Sequence, residues 1–244
     1  MKNIKSIILL LTVVFSLNAC KKTDSDELPQ NTHEDAYGDV ILKKMFMMGK
    51  TKYVLVSFAG GNGIIESGSF VTTPGGVDID LHEFWAGPGK LTGTSAPSTI
   101  KPEAGTYTFT LKFSDGYVKT LTDILEPTEI DVPVISVNYD KAAQTIEVSW
   151  NDIPGADLYC VKLTELDMPN TKPLFKVAQL PTNQTSLTIH IDGSNGWLRP
   201  ISDLQDGVQY WVAVAAKKVE QGKPVSGTST DFQTSSCQKT KITY

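Results

Sequence analysis

The chain has 244 residues, with 22 basic and 27 acidic side chains and a formal net charge of −5. This length suffices for one or two domains. The acidic balance disfavours nucleic acid or anionic lipid as the main partner, because proteins bind these polyanions chiefly through lysine and arginine. With three histidines and three cysteines, the chain has little material for Ser-His-Asp or Cys-His catalysis.

The first residues have the pattern of a bacterial export signal. Lys2 and Lys5 precede an almost wholly apolar run, residues 7–17. This run has the length of the hydrophobic part of a signal peptide. A spanning helix needs ~20 apolar residues, so the run is too short for a comfortable membrane span. It ends in Leu17-Asn18-Ala19-Cys20, which resembles the lipobox of bacterial lipoproteins.

The lipobox resemblance implies that residues 1–19 are a signal peptide and that Cys20 becomes a lipid-modified N-terminus. Diacylglycerol and palmitate-type chains would anchor the protein in the outer membrane, since each buried methylene contributes ~0.8 kcal/mol. An uncleaved N-terminal helix and a plain secretory signal are the alternatives. Residues 20–37 are polar and predict a flexible tether. Its acidic run, 24–27, resembles an export signal of surface lipoproteins or simply solvates the tether, so the surface and periplasmic faces both stay open.

The rest of the chain predicts an all-β protein. Short runs of alternating apolar and polar residues recur roughly every ten residues, separated by Gly, Pro, Asn and Asp, which is typical of sandwiches and barrels. We predict two tandem immunoglobulin/fibronectin III-like β-sandwich domains, at 38–128 and 129–244.

The first of these domains contains predicted strands at 41–47, 53–58 and 77–81. The segment from Pro102 to Tyr107 resembles a tyrosine corner, and Asp115-Gly116 predicts a β-hairpin. We expect one apolar face to combine residues on both sides of this hairpin: Tyr107, Phe109, Leu111, Phe113, Val118, Thr120, Thr122 and Ile124.

The second domain resembles a fibronectin type III domain over about 110 residues. The resemblance rests on Pro133, Trp150, Pro154-Gly155-Ala156 before Tyr159, and Leu204-x-x-Gly207-x-x-Tyr210. It implies that the corner tyrosine hydrogen-bonds to nearby backbone. The long stretch 193–203 departs from the family pattern.

One alternating strand carries weak candidates for metal ligation. Asp78, Asp80 and His82 fall at every second position and should project from one face. Such oxygen and nitrogen ligands could hold a cation, but a solvated outer face is the more ordinary interpretation. We therefore predict no metal and no cofactor.

Two cysteines and three tryptophans are the other candidate site residues. Cys160 and Cys237 form either a disulfide or two free thiols. Trp85 and Trp197 lie in glycine-rich loops, and Trp211 alternates away from the core. Exposed aromatic residues can stack on sugars or anchor proteins, or each can fold back to cover its own sandwich.

Together these patterns predict a non-catalytic cell-envelope lipoprotein that serves in binding or display, adhesin-like or as a glycan-binding accessory protein. The expected partners are the membrane, through Cys20, and a glycan or an envelope protein, but no nucleic acid. A structural subunit of an envelope complex is the alternative. A hydrolase acting on polymers is disfavoured, because such modules usually accompany catalytic domains.

Overall fold

The protein is nearly all β in a computed structural model that describes residues 33–47, 49–83, 89–165, 172–226 and 231–244. This confirms the predicted all-β class. Two single-turn 3₁₀ helices, His33–Asp35 and Ile201–Asp203, accompany the strands. Within the described ranges, no helix is long and apolar enough to cross a membrane.

The first half of the chain forms eight strands: β1 (Tyr37–Met47), β2 (Lys50–Gly60), β3 (Phe70–Thr72), β4 (Asp78–Asp80), β5 (His82–Glu83), β6 (Leu91–Thr94), β7 (Gly105–Lys112) and β8 (Val118–Leu125). The second half forms seven: β9 (Ile135–Asp140), β10 (Thr145–Trp150), β11 (Leu158–Thr164), β12 (Phe175–Leu180), β13 (Ser186–His190), β14 (Gln209–Val219) and β15 (Phe232–Thr243).

These strands form three sheets, of which the largest draws on both halves of the chain. Its order is β12-β11-β14-β15-β1-β2-β6-β5, and the smaller sheets are β13-β10-β9 and β4-β3-β7-β8. The halves meet where β15 pairs in parallel with β1, with Leu42 opposite Thr234. The two predicted domains therefore share one sheet, inside a compact unit from Thr32 to Tyr244.

Each half nevertheless has its own hydrophobic core between the large sheet and one small sheet. The first core uses residues of 36–125 and the second residues of 130–242. Both small sheets cover the same face of the large sheet, because Thr234 and Ile242 are an even number of residues apart on β15. Thr234 lies opposite Leu42 of the first core, whereas Ile242 belongs to the second core.

Side chains of β15 fix the segment that joins the two halves. Gln233 accepts a hydrogen bond from the Glu126 amide at 2.8 Å and donates one to the Ile124 carbonyl at 3.2 Å. The Ser236 hydroxyl donates to the Asp131 carbonyl at 2.5 Å. Between these two points, the Glu129 carboxylate pairs with the Lys101 ammonium at 2.8 Å. The connection is thus held by several partly buried bonds, which limits motion between the cores.

Both tyrosine corners have the hydrogen bonds that the sequence predicts. The Tyr107 hydroxyl donates to the Glu103 carbonyl at 2.7 Å, and burial raises the pKa of Tyr107 to about 12. The Tyr210 hydroxyl accepts from the Gln205 amide at 2.8 Å and donates to the Asp203 carbonyl at 3.4 Å. Each corner therefore anchors the start of a long strand.

The predicted face of the β7–β8 hairpin is wrong on its second strand. Phe109 lies opposite Leu121, whereas Thr120 lies opposite Thr110. Val118 and Ile124 are more than half exposed. A shift of one residue exchanges the two faces of a strand, and this strand has apolar residues at both parities, so its composition does not fix the register.

The end of the predicted tether belongs to the folded unit. His33 packs edge-on against Phe113, with ring centroids 4.2 Å apart, and lies 4.4 Å from the ring of Tyr117. β1 already begins at Tyr37. The predicted tether, 20–37, is therefore wrong for its last residues, which pack against the first core, whereas residues 20–32 lie outside the described residues.

Candidate functional site

Two of the predicted site residues, Cys20 and Trp85, lie outside the described residues. Lipidation at Cys20 and a binding role for Trp85 therefore stay predictions. Of the remaining candidates, the structure brings Cys160, Cys237 and Trp211 to one face of the large sheet and places the others elsewhere.

Asp78, Asp80 and His82 do not form one ligand face. Asp78 and Asp80 belong to the sheet of β3 and β4, whereas His82 lies in β5 of the large sheet. The change of sheet occurs at Leu81, which is buried in the first core. The Asp78 carboxylate accepts a hydrogen bond from the Thr72 hydroxyl at 2.7 Å, as expected of an outer polar face.

A different acidic group, missed in the sequence, brings three carboxylates together. Asp39, Asp123 and Glu220 have oxygen atoms within 4.8 Å of one another. Asp123 also accepts a hydrogen bond from the Val40 amide at 2.7 Å. Burial, and then the charge of Asp123, raise the pKa of Glu220. This favours the protonated form of Glu220, which relieves repulsion in the group, and we assign no metal to it.

Trp197 folds back onto its own sandwich. Its ring meets Phe175 edge-on at 5.6 Å between centroids, and its Nε1 donates to the His190 carbonyl at 2.9 Å. Gly196 allows this packing, because a Cβ there would lie 2.4 Å from the Phe175 ring. Arg199 holds the same loop through Glu165 and Asp203, at 2.9 and 2.8 Å. Of the two predicted alternatives, the structure shows the covering role.

Cys160 and Cys237 are both buried and free. Each lies directly opposite Ala215, from the two sides of β14. Two strand spacings separate them by about 9.6 Å, beyond the ~7 Å that a disulfide can bridge. Of the two alternatives that the sequence left open, the structure has the two free thiols.

Trp211 lies on the outer face of the large sheet, as the alternation predicts. The core residues of β14 are Tyr210, Val212, Val214 and Ala216. Trp211 is half-buried, and the Lys241 Nζ atom lies 4.9 Å from its ring centroid. A lysine near an aromatic ring makes a cation–π contact. This pair lies at one margin of the surface that forms the candidate site.

Eight lysines project from this same outer face. Lys162 lies opposite Lys176 and Ala213, and Ala213 lies opposite Lys239. Directly opposite residues share a face, and the same pairing extends over six adjacent strands. We call this surface the lysine face; its lysines are Lys43, Lys50, Lys52, Lys162, Lys176, Lys217, Lys239 and Lys241.

Asp39 is the one acidic residue in the six strands of the lysine face, β12, β11, β14, β15, β1 and β2. It lies at the end of β1, beside Asp123 and Glu220. No carboxylate of the described residues is within 4.0 Å of the Lys162, Lys176 or Lys217 ammonium groups, measured between N and O atoms. Positive charge is thus concentrated on one side of an acidic protein.

The lysines surround a row of small and apolar side chains. Cys160, Ala215, Cys237 and Met45 lie side by side on β11, β14, β15 and β1. Cys160, Cys237 and Met45 are 1%, 5% and 9% exposed. The centre of the lysine face is thus apolar and almost wholly buried, and the lysines lie around it.

Burial, and then neighbouring lysines, lower the pKa of two lysines on this face. Burial lowers the pKa of Lys217 to about 8, with further lowering by Lys162, Lys176 and Lys43 and a partial opposing effect of the Cys160 thiol. Burial and then Lys162 also lower the pKa of Lys176. The Lys217 ammonium lies 3.9 Å from the centroid of the Phe232 ring and makes a cation–π contact with it. Like charges held together in this way are stabilised by an anion.

No protein-family model and no curated protein sequence matches the chain. The geometry of the lysine face and the sequence are therefore the observations that support a function.

Proposed function

We propose that the protein is a non-catalytic lipoprotein of the cell envelope that binds or displays, as an adhesin-like or glycan-binding accessory protein. The observation that carries the proposal is the continuous eight-stranded sheet. One face of it is covered by the two cores, and the other presents a broad cationic surface. A rigid scaffold with one chemically distinct face is suited to binding rather than to enclosing a reaction.

The architecture supports immunoglobulin- and fibronectin III-like halves. In the second half, β13-β10-β9 faces β12-β11-β14-β15 across a core that contains Trp150 and Tyr210. A three-strand sheet opposite a four-strand sheet, with a tyrosine corner, is the arrangement of that fold family. The first half repeats the tyrosine corner at Tyr107. The two halves would then be adjacent sandwiches fused through a common sheet.

The lipid anchor is tested by comparing the wild-type chain with Cys20→Ala in cells. We expect wild type to fractionate with the outer membrane and to incorporate a labelled fatty acid, and Cys20→Ala to lose both properties. Unlabelled wild type, or a variant that stays in the membrane, would contradict the anchor.

Binding or display is tested by protease treatment of intact cells. Loss of the folded unit would place it on the outer surface, where adhesion or glycan capture would act. Protection until the cells are broken would place it in the periplasm, and a partner of fixed stoichiometry captured there by cross-linking would favour a structural subunit. Release of soluble products from any polymer by the purified chain would contradict a non-catalytic role.

A further inference from the structure

We propose that the lysine face binds an acidic polysaccharide, a sugar chain that carries carboxylate or sulfate groups. This inference rests on the proposed binding function and names the class of its ligand. Charge, shape and the pairing of the strands each favour this class of partner.

The distribution of charge favours an extended polyanion over a single anion. Six adjacent strands carry the lysines, so the face is about 24 Å wide at the usual strand spacing. Lys176 lies on β12 and Lys52 on β2, near its two margins. An extended chain with repeated negative groups can reach both margins at once, which one small anion cannot do.

The chemistry of the cations fits a repetitive ligand. The only arginine in the chain, Arg199, lies in the loop after β13. It pairs with Asp203 in the same loop and with Glu165, which follows β11. Arginine offers a planar fork for one fixed phosphate or carboxylate, whereas lysine is a point charge on a flexible stem. Eight lysines without an arginine suit negative groups whose positions vary along a sugar chain.

One aromatic side chain of the face can pack on the rings between those negative groups. Trp211 is half-buried at one margin, beside Lys241, and offers an aromatic surface to a sugar ring. Ala213, the next outward residue of β14, is small and leaves space beside it. Carboxylates or sulfates at the ring edges would then meet the surrounding ammonium groups.

The same geometry disfavours a bilayer. Membrane-surface binding combines basic residues with apolar side chains that penetrate the headgroup region. On the lysine face the central apolar groups are buried, because Met45, Cys237 and Phe232 are 9%, 5% and 1% exposed. Apart from Trp211 at one margin, lysines would be the groups that touch the headgroups.

An acidic peptide is also a weaker fit. Extended peptides commonly add to the edge of a sheet through backbone hydrogen bonds. The strands at the centre of the lysine face, β14, β15 and β1, are paired on both sides. They offer no backbone groups to a peptide over those paired residues, and only side chains remain for recognition.

The experiment measures binding of the full-length chain, purified in detergent, to immobilised polygalacturonate and dextran sulfate, with uncharged dextran as the reference polymer. We expect binding to both acidic polymers, none to dextran, and an affinity that falls steadily as salt rises. The variant K162Q/K176Q should lose about tenfold in affinity, because each substitution removes one charge from the face.

The matched control is K112Q/K141Q, which removes two lysines outside the lysine face, both exposed. It should change affinity by less than about twofold, since exposed charges away from the ligand are screened. Trp211→Ala should weaken binding and Trp211→Phe should retain most of it. Thermal unfolding of each variant verifies that it is folded. Equal affinities for the two double variants would overturn the proposal.

Two further arms separate polysaccharide from the other polyanions. Vesicles containing phosphatidylglycerol and soluble polyglutamate are offered under the same salt conditions. We expect the protein to bind both of them more weakly than the acidic polysaccharides. Stronger binding to the vesicles would indicate a lipid surface as the ligand, and stronger binding to polyglutamate would indicate an acidic peptide.

The failure of this inference is distinguishable from that of the proposed function. A chain that is lipid-labelled at Cys20 and surface-exposed, yet binds no acidic polysaccharide, would refute only the ligand. A chain that is not anchored, or that degrades the polymers it binds, would refute the proposed function, whatever the lysine variants do.

Discussion

The two faces of the large sheet are made by the same strands but obey different constraints. On β14, the inward residues Val212, Val214 and Ala216 have no exposed surface. Their outward neighbours include Trp211 and Lys217, beside a buried thiol and further lysines. Packing explains the inward set, because burial of apolar surface drives folding. Folding does not require clustered lysines, which repel one another, so the outer face is the one to examine for function.

The largest effect should come from removing an inward side chain. Phe109→Ala takes a fully buried ring out of the first core. The ring is closely packed there, because a Cβ added to Gly38 would lie only 2.5 Å from the Phe109 Cγ atom. We expect a loss of about 3–5 kcal/mol in the free energy of unfolding, measured with urea. Val118→Ala, at an exposed position on the neighbouring strand, is the control. A comparable loss in both variants would contradict the assigned faces of the hairpin.

A smaller loss is expected from one hydrogen bond at a tyrosine corner. Tyr107→Phe removes the hydroxyl that donates to the Glu103 carbonyl and should cost roughly 0.5–1.5 kcal/mol. Tyr117→Phe is the control, because Tyr117 is half exposed. Thermal and urea unfolding of the pair give the difference, and no difference would show that this corner contributes little.

On the outer face, one substitution should stabilise the protein. The folded-state pKa of Lys217, about 8, is below its ordinary value. Protonation therefore costs stability below pH 8, and this penalty disappears as pH rises towards the ordinary lysine value. Lys217→Met should be more stable than wild type at pH 7, with a gain that shrinks between pH 8 and about 10.4. A gain that is constant over this range would contradict the lowered pKa of Lys217.

The smallest effect on stability should come from Trp211→Ala. This side chain lies outside both cores and contacts Lys241 on the outer face. We expect a change below about 1 kcal/mol in the free energy of unfolding, since surface substitutions rarely cost more. The same variant weakens polysaccharide binding if the lysine face is the site. A large loss of stability would instead mean that Trp211 has a structural role.

Local patterns predicted much of the fold. Alternation placed β10 at Thr145–Trp150 and identified the inward row of β11, and the short corner motifs predicted the bonds of Tyr107 and Tyr210. These features depend on neighbours within a few residues, which the sequence displays directly. β8 was assigned to the wrong face, because Val118 and Ile124 compete with Leu121 and Leu125 for the inward positions.

The features that depend on distant pairings were not predictable. The parallel pairing of β1 with β15 joins residues such as Leu42 and Thr234, and no local pattern announces it. The lysine face follows from that pairing, since its residues come from both halves of the chain. Net charge concealed it as well, because a value of −5 averages the lysine face with the acidic surfaces around it.

The most direct test of the account is a lysine footprint. The full-length chain is acetylated with and without polygalacturonate, and the modification of each lysine is measured by mass spectrometry. We expect Lys162, Lys176, Lys239 and Lys241 to react more slowly with the polymer present, and Lys112 and Lys141 to be unchanged. Uniform protection, or protection confined to lysines outside the lysine face, would contradict it.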